Sequence, residues 1–465
     1  MNKALPNFRI EDPELRAAQR DICQSVSNAG GRAFVVGGSV RDAILGIAAK
    51  DLDIEVYGIS LDNLLKILEG KFRIDLVGQS FGVIKIQGLP VDISIPRRES
   101  KTGSGHRGFS ISGDPSMSIG DAAARRDFTM NAMAFDPLTS ELMDSYGGQA
   151  DLEAGTLRHT SNRFSEDPLR VLRAMQFAAR FELTVAPETI ALCRRIEPEG
   201  LPKERIFEEW KKLITRGVRP SLGLAFLKDS GWLRHFPELK ALDGCEQDPK
   251  WHPEGDVWIH TLHSMDAFAA ERTGDELEDL IVGLAVLCHD IGKPMTSELI
   301  QGRIRSLRHE GAGKEPTLTF LSRLTDERAL VQEVVPLVLN HMRPRVLFSA
   351  KAGNAAIRRL AQRVQRIDRL VRVSRADHKG CPLRLPDDFP AGKWLMERAS
   401  ELSIVDSAPR PIIMGRHLIA LGLEPGPQFG PILRDCYEAQ LEGTFETLQE
   451  GLAYATAHNM PIPAT

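Results

Sequence analysis

Two features set 13 residues apart constrain this chain most: Gly37-Gly38 between an apolar run and a helix-forming segment, and an Asp51-Leu52-Asp53 triplet opening an alternating strand pattern. Glycines after a strand let the backbone approach an anion closely, and the helix they open aims its free N–H groups at it. Gly37, Gly38, Ser39 and Arg41 are therefore expected to receive phosphates. Asp51 and Asp53, two residues apart on a strand, face the same side at roughly 7 Å between Cα atoms. Carboxylates so placed suit Mg²⁺, and two metals about 3.5–4 Å apart can clamp an in-line phosphoryl displacement. Asp92, polar within the apolar strand pattern Val91–Ile95, is the candidate third carboxylate. No GxxxxGK[ST] sequence occurs, which argues against a P-loop nucleotidase.

Local patterns give an α+β beginning and a helical remainder. Asp12-Pro13 predicts a helix to about Asn28, and Ala33–Val36, Asp51–Tyr57, Arg73–Val77, Gly82–Gln87 and Val91–Ile95 read as strands. A short helix is expected over Ser39–Leu45 and another from Ser60 to about Glu69. The strands lie too close together for repeated βαβ units. From about residue 155 helical periodicity dominates, with helices over 168–181, 186–196, 203–216 and 221–230, a linker at 241–256, and helices again from 257 to 378. Short helices divided by Gly422, Pro425, Gly426 and Pro427 end the sequence.

The strand–GG–helix and Asp-x-Asp combination resembles the DNA polymerase beta type nucleotidyltransferases. More narrowly it resembles the bacterial class II CCA-adding tRNA nucleotidyltransferases and the bacterial poly(A) polymerases. Arg125-Arg126-Asp127-Phe128-Thr129-Met130-Asn131-Ala132 is similar to the family's RRDFTxNA segment, Asp144-Ser145-Tyr146-Gly147-Gly148 to its hinge, and Glu166-Asp167-Pro168-Leu169-Arg170, continuing to Arg173, to its EDxxR motif. The resemblance implies that Asp51 and Asp53 hold Mg²⁺ and that Arg126, Asp127 and Asn131 position ribose and phosphates. It implies that Asp167, Arg170 and Arg173 belong to the nucleotide site, and that the substrates are CTP, ATP and tRNA.

Hydrogen-bond chemistry explains how Asp167 and Arg170 could choose a base. Three residues apart on a helix, they would share a face. An ionised Asp only accepts and Arg only donates. Cytosine and adenine offer an amine donor beside a ring-nitrogen acceptor; uracil and guanine offer the reverse and would leave groups unpaired. Selection of C and A would need no nucleic-acid template. The segment Arg97–Arg126, with a net charge of +3 and several glycines, matches the family's loop for switching from C to A addition; it is not shortened, so full CCA addition is expected.

A second constellation lies downstream. Cys288-His289-Asp290-Ile291-Gly292-Lys293 follows an apolar helix pattern, with His260 before it and His309, His341 and Asp377 beyond. The series resembles the HD phosphohydrolases, which implies His260, His289, Asp290 and Asp377 as ligands of a second divalent metal. Imidazole and carboxylate donors suit a divalent transition metal, Mg²⁺ or Mn²⁺, with a bound water able to attack a phosphoester.

Composition limits the remaining choices. The net charge is −4, yet residues 341–380 carry eleven Lys and Arg against two Asp, a net +9. Arg358, Arg359 and Arg366 in that stretch are expected to face an RNA backbone. The longest apolar run, Leu280–Cys288, is too short for a membrane span, and the first residues lack the apolar core of a signal peptide. No two of the six cysteines make a CxxC pair. A cytoplasmic enzyme without membrane association is expected; nothing fixes its oligomeric state.

The expected fold is α+β: a polymerase-beta-like nucleotidyltransferase head (1–154), an all-α neck (155–240), an all-α HD domain (241–385) and a helical tail (386–465). The expected function is Mg²⁺-dependent addition of CCA to tRNA, with accessory phosphohydrolase activity in the HD domain. A poly(A) polymerase, an enzyme that is mainly an HD phosphohydrolase, and a non-catalytic RNA-binding module stay open. His289-Asp290 weighs against the first and the paired Asp51 and Asp53 against the others.

Overall fold

The computed structural model describes residues 8–77, 83–101, 109–381 and 388–459. The chain divides into two compact units, one of residues 1–213 and 222–235, the other of 214–221 and 236–465.

In the first unit, α1 (Pro13–Asn28) is capped by the Asp12 carboxylate, which accepts from Glu14 N and Leu15 N. Strand β1 (Arg32–Val36) leads through Gly37 into α2 (Gly38–Ile44), then come β2 (Leu52–Tyr57) and α3 (Leu61–Glu69), which Ser60 caps. Strands β3 (Ile74–Val77), β4 (Val83–Ile86) and β5 (Val91–Ser94) follow. After them come β6 (Arg97–Lys101), β7 (Phe109–Gly113), β8 (Ala134–Asp136) and β9 (Glu141–Met143).

Seven strands form one sheet in the order β3-β4-β5-β2-β1-β8-β9. Only β2 and β5 pair in parallel, with Asp53 opposite Asp92; the other neighbours are antiparallel. Alternation along β2 buries Leu52, Ile54 and Val56 and leaves Asp53 exposed, so the register puts Asp53 and Asp92 side by side on the polar face.

Three details correct the expectations for this unit. Asp51 stands just before β2, not in it. The basic segment 97–126 contains a β6–β7 hairpin and a short helix, Ile119–Ala123; its residues 102–108 lie outside the described ones. Strands β8 and β9, three residues each, extend the sheet where no strand was expected.

The helix Leu169–Phe181 buries one face, and Phe128 lies edge-on to Phe164 and Phe177 with ring centroids 5.4 and 5.7 Å away. Backbone bonds from Thr129 N to Arg158 O and from Thr160 N to Asp127 O stitch the same segment to its neighbours.

The second unit is mostly helical. Every residue from Asp279 to Cys288 of the helix Glu276–Cys288 is buried. A helix apolar on all sides is a core helix, and this one packs against Val257–Ala270, Arg328–Asn340 and Ile367–Lys379. Helices do fill most of 257–378 as expected, but an antiparallel hairpin, Ser297–Ile300 with Arg303–Ser306, stands among them where no strand was expected. Gln301-Gly302 turn it, both with positive φ. Ile413, Leu418, Ile432, Cys436, Ala439, Phe445 and Ala455 build a separate small core near the end.

Phe128→Ala removes a fully buried ring that meets two others and should cost ~3–5 kcal/mol. A denaturant titration should show the first unit melting earlier; an unchanged midpoint would contradict this packing account.

Candidate functional site

Gly37 has φ 76°, a conformation that favours glycine, and a Cβ there would lie 2.9 Å from Arg126 Nη1 and 3.6 Å from Asp53 Oδ2. Gly37 thus lets β1 turn into α2 while Arg126 crosses close to the Asp53 carboxylate. Ser39 Oγ donates to Asp51 O at 3.0 Å, fixing the backbone that carries the first aspartate. Although Asp53 keeps contact with solvent, the protein packed around it raises its carboxyl above the ordinary value; Arg126 opposes this, while negative charge on Asp51 and Asp92 adds to it. Asp92 itself takes a salt bridge from Lys85 at 2.9 Å. The crowding of three carboxylates around Asp53 is an arrangement that a divalent cation would relieve.

The RRDFT segment forms a buried network. Asp127 Oδ1 accepts from Phe128 N at 2.8 Å and Asn131 Nδ2 at 3.0 Å, and Oδ2 accepts from Arg173 Nε at 2.6 Å. Burial alone would raise the Asp127 carboxyl, but Arg173 and the donated hydrogen bonds lower it. Asn131 Oδ1 in turn accepts from Arg41 Nη1 at 2.7 Å. Arg41 is buried, bonds Asp42 Oδ1 through Nε and Nη2, and lies over the Phe181 ring at 4.4 Å. The expectation of Arg41 as an open phosphate receiver is corrected on this point: its guanidinium is committed to tying α2 to the helix Leu169–Phe181.

Asp167 precedes that helix in extended conformation, so it and Arg170 are not two points on one helix face as expected. Asp167 Oδ1 caps Leu169 N at 3.0 Å, and Oδ2 pairs with Arg205 Nη2 at 2.8 Å. Arg170 donates to Arg163 O at 2.8 Å and Arg125 O at 2.6 Å. An acceptor and a donor group are therefore each held by protein partners, next to the Asp127–Arg173 pair. Arg205 was not singled out by the sequence.

In the second unit, the core helix Glu276–Cys288 ends at His289-Asp290. His260 Nε2 stands 3.2 Å from Asp377 Oδ1, and His289 Nε2 lies 3.3 Å from Asp290 Oδ2. Asp290 Oδ1 lies 3.2 Å from His309 Nε2, which is 3.2 Å from His341 Nε2. All four imidazoles are held from behind through Nδ1: His289 by Val286 O, His309 by Ser306 O, His341 by Val338 O and His260 by Glu254 Oε1, at 2.7–2.9 Å. Such backing fixes the tautomer that turns Nε2 inward as a lone pair.

The four expected ligands His260, His289, Asp290 and Asp377 come together, and His309 and His341, seen in the series but not assigned, join them. The potential donors form two triads, His260/His289/Asp377 and Asp290/His309/His341. His289 Nε2 is buried without a hydrogen-bond partner, which fits a ligand atom. Burial would lower His260, yet its bonds with Asp377 and Glu254 raise it to about 9; burial and the charge on His289 lower His341 to about 3. Lys293 Nζ meets Asp290 Oδ2 at 2.6 Å. Gly292 permits this closeness: a Cβ there would lie 2.1 Å from His309 O. A cavity of about 220 Å³ opens onto the cluster, lined by Trp251, His252, Ile304 and Arg345 among others.

Much of the basic stretch is paired with acids of the second unit. Arg358 pairs with Glu446, Arg359 with Glu442, and Arg366 with Asp368 and Glu278. Arg369 and Arg372 meet Glu278 and Asp279, and Arg375 and Lys379 share Glu271. Acids distant in sequence thus fold onto part of the face expected to be open.

Comparisons with known proteins give the family of the chain. Family models match residues 33–158 (Poly A polymerase head domain), 182–242 ("Probable RNA and SrmB- binding site of polymerase A") and 257–373 (HD domain). The chain is 36% identical to the Multifunctional CCA protein of Xanthomonas oryzae pv. oryzae (strain MAFF 311018) over 86% of this chain and 95% of that protein. It is 34% identical to the Multifunctional CCA protein of Acinetobacter baumannii (strain SDF) over 78% of this chain and 88% of that protein. Its fold matches the Bacillus stearothermophilus CCA-adding enzyme in complex with CTP, with TM-score 0.65, 20% identity and coverage of 96% and 98% of the two chains. The Thermotoga maritima CCA-adding enzyme complexed with tRNA matches with TM-score 0.61, 20% identity and coverage of 98% and 99%. Among the described residues no helix is long and apolar enough to cross a membrane.

Gly37→Ala should force Arg126 or the turn aside and reduce nucleotide incorporation on the order of 10²-fold with the fold retained. Wild-type incorporation by a folded variant would contradict the role given to this turn.

Proposed function

Because the chain belongs to the multifunctional CCA protein family, we propose that it adds CCA to the 3′ ends of tRNA from CTP and ATP, releasing pyrophosphate, without a nucleic-acid template. The observation that carries this reading is the pairing of carboxylates Asp51, Asp53 and Asp92 with the Asp127 network in one unit. Mg²⁺ held by Asp51 and Asp53 would supply charge stabilisation for phosphoryl transfer. The Gly37 turn presents the backbone N–H groups of Gly38 and Ser39 at the start of α2 for the triphosphate, and Arg126 adds positive charge beside it. Asp127 and Asn131 orient the nucleotide, while Arg41 and Arg173 hold those two in place. Asp167 accepts the amine of C or A, and Arg170 donates to the ring nitrogen beside it.

Residues 1–154 act as the catalytic head, 155–240 as the neck, 241–385 as the HD domain and 386–465 as a tail, in a cytoplasmic protein. The HD centre is a metal-dependent phosphohydrolase site. Its six donors fit one or two divalent cations, with His260, His289 and Asp377 on one side and Asp290, His309 and His341 on the other. A divalent metal there would supply an activated water for attack on a phosphoester.

Asp167→Ala should lose base discrimination, raising UTP and GTP incorporation relative to CTP and ATP by ~10–10²-fold, with metal dependence unchanged. Retained rejection of UTP and GTP would defeat the protein-template reading. His289→Ala with Asp290→Ala should empty the HD centre of metal while CCA addition continues. Metal content equal to that of wild type would rule the HD assignment out.

A further inference from the structure

The two halves of the HD centre have the same donor types. One is built of His260, His289 and Asp377 and the other of His309, His341 and Asp290, so each offers two imidazoles and one carboxylate. Their surroundings differ. Three of the four imidazoles lean on neutral backbone carbonyls, whereas His260 leans on an anion, the Glu254 carboxylate, whose side chain has 0% exposure. The same Oε1 holds His252 Nδ1 at 2.9 Å, so one oxygen orients both an inner and an outer imidazole.

A carboxylate behind an imidazole raises its basicity as a ligand, while a carbonyl does so less. Asp290 reaches both halves: Oδ1 lies 3.2 Å from His309 Nε2, while Oδ2 lies 3.3 Å from His289 Nε2 and meets the buried Lys293 Nζ at 2.6 Å. The inequality of the halves therefore comes from the group behind His260.

We propose that Glu254 is a positioning residue that makes the centre unequal, so that the His260/His289/Asp377 half binds a divalent cation more tightly than the Asp290/His309/His341 half. The inference rests on the reading of this centre as a metal site. It gives residues 241–256, expected only to link domains, a part in setting metal affinity.

The test is a Mn²⁺ titration of the full chain carrying Asp51→Ala and Asp53→Ala, which removes the carboxylates of the head, after chelator treatment. Free Mn²⁺ is followed by its electron paramagnetic resonance signal. Two binding steps are expected. Glu254→Gln should weaken the tighter step by ~10–100-fold and leave the weaker one in place. His309→Ala should abolish the weaker step and spare the tighter. Glu254→Asp, with a shorter reach to His260, should weaken the tighter step less than Gln does, and it decides the matter if circular dichroism shows that the Gln variant is unfolded. A tighter step at parental affinity in the folded Glu254 variants would overturn the proposal. Absence of Mn²⁺ binding by the parent, or binding unaffected by His289→Ala with Asp290→Ala, would overturn the metal reading and the proposal with it.

Discussion

The buried carboxylate of Asp127 is the interaction on which the head depends. A charge removed from water must be paired and hydrogen-bonded, and Asp127 meets that demand with Phe128 N, Asn131 and Arg173. Each partner belongs to a different part of the site. Phe128 anchors the aromatic core, Asn131 reaches Arg41 on α2, and Arg173 lies on the helix Leu169–Phe181. One side chain thus holds the glycine turn and the helix that follows Asp167 in a common frame. The residues with the most evident chemistry, Asp51, Asp53 and Asp167, sit at the margins of that frame, and their placement follows from it.

The second unit solves a similar problem with histidines. A core helix whose last nine residues, Leu280–Cys288, are apolar and buried delivers His289 and Asp290 to a buried position, where polar groups are tolerated only with partners. Carbonyls exposed at helix ends supply those partners, as at Val286 and Val338. Pro336 lies inside the helix that ends before His341, and Asn340 Nδ2 donates to the carbonyl of Pro336. Burial, backing and the closeness allowed by Gly292 make a preformed cage out of five separate helical segments.

Much of this was legible in the sequence, because the informative patterns are local. The alternation along 52–57, the Asp12 and Ser60 caps and the glycine turn at Gly37 each arise from a few neighbouring residues. The histidine series was legible through the residue types that metals require. Features set by distant partners were not. Strands β8 and β9 are too short to show alternation, and they exist because β1 offers an edge to pair with. The hairpin 297–306 has a half-exposed polar pattern that blends into its helical surroundings. Arg358 meets Glu446 and Arg366 meets Glu278, each 88 residues away, so a charge sum over one segment mistook neutralised residues for an open face. Glu254 stayed hidden for the same reason, since its significance comes from the two imidazoles that converge on one oxygen.

The central claim is that this protein builds a defined trinucleotide from its own side-chain template. The most direct measurement is sequencing of the 3′ ends of a tRNA transcript lacking CCA after incubation with the purified protein, Mg²⁺ and CTP, ATP, UTP and GTP singly and together. The account predicts C addition with CTP alone, complete CCA with CTP and ATP, no U or G, and no growth beyond the final A. Long A tails from ATP alone, or ends that remain unextended under every condition, would contradict it.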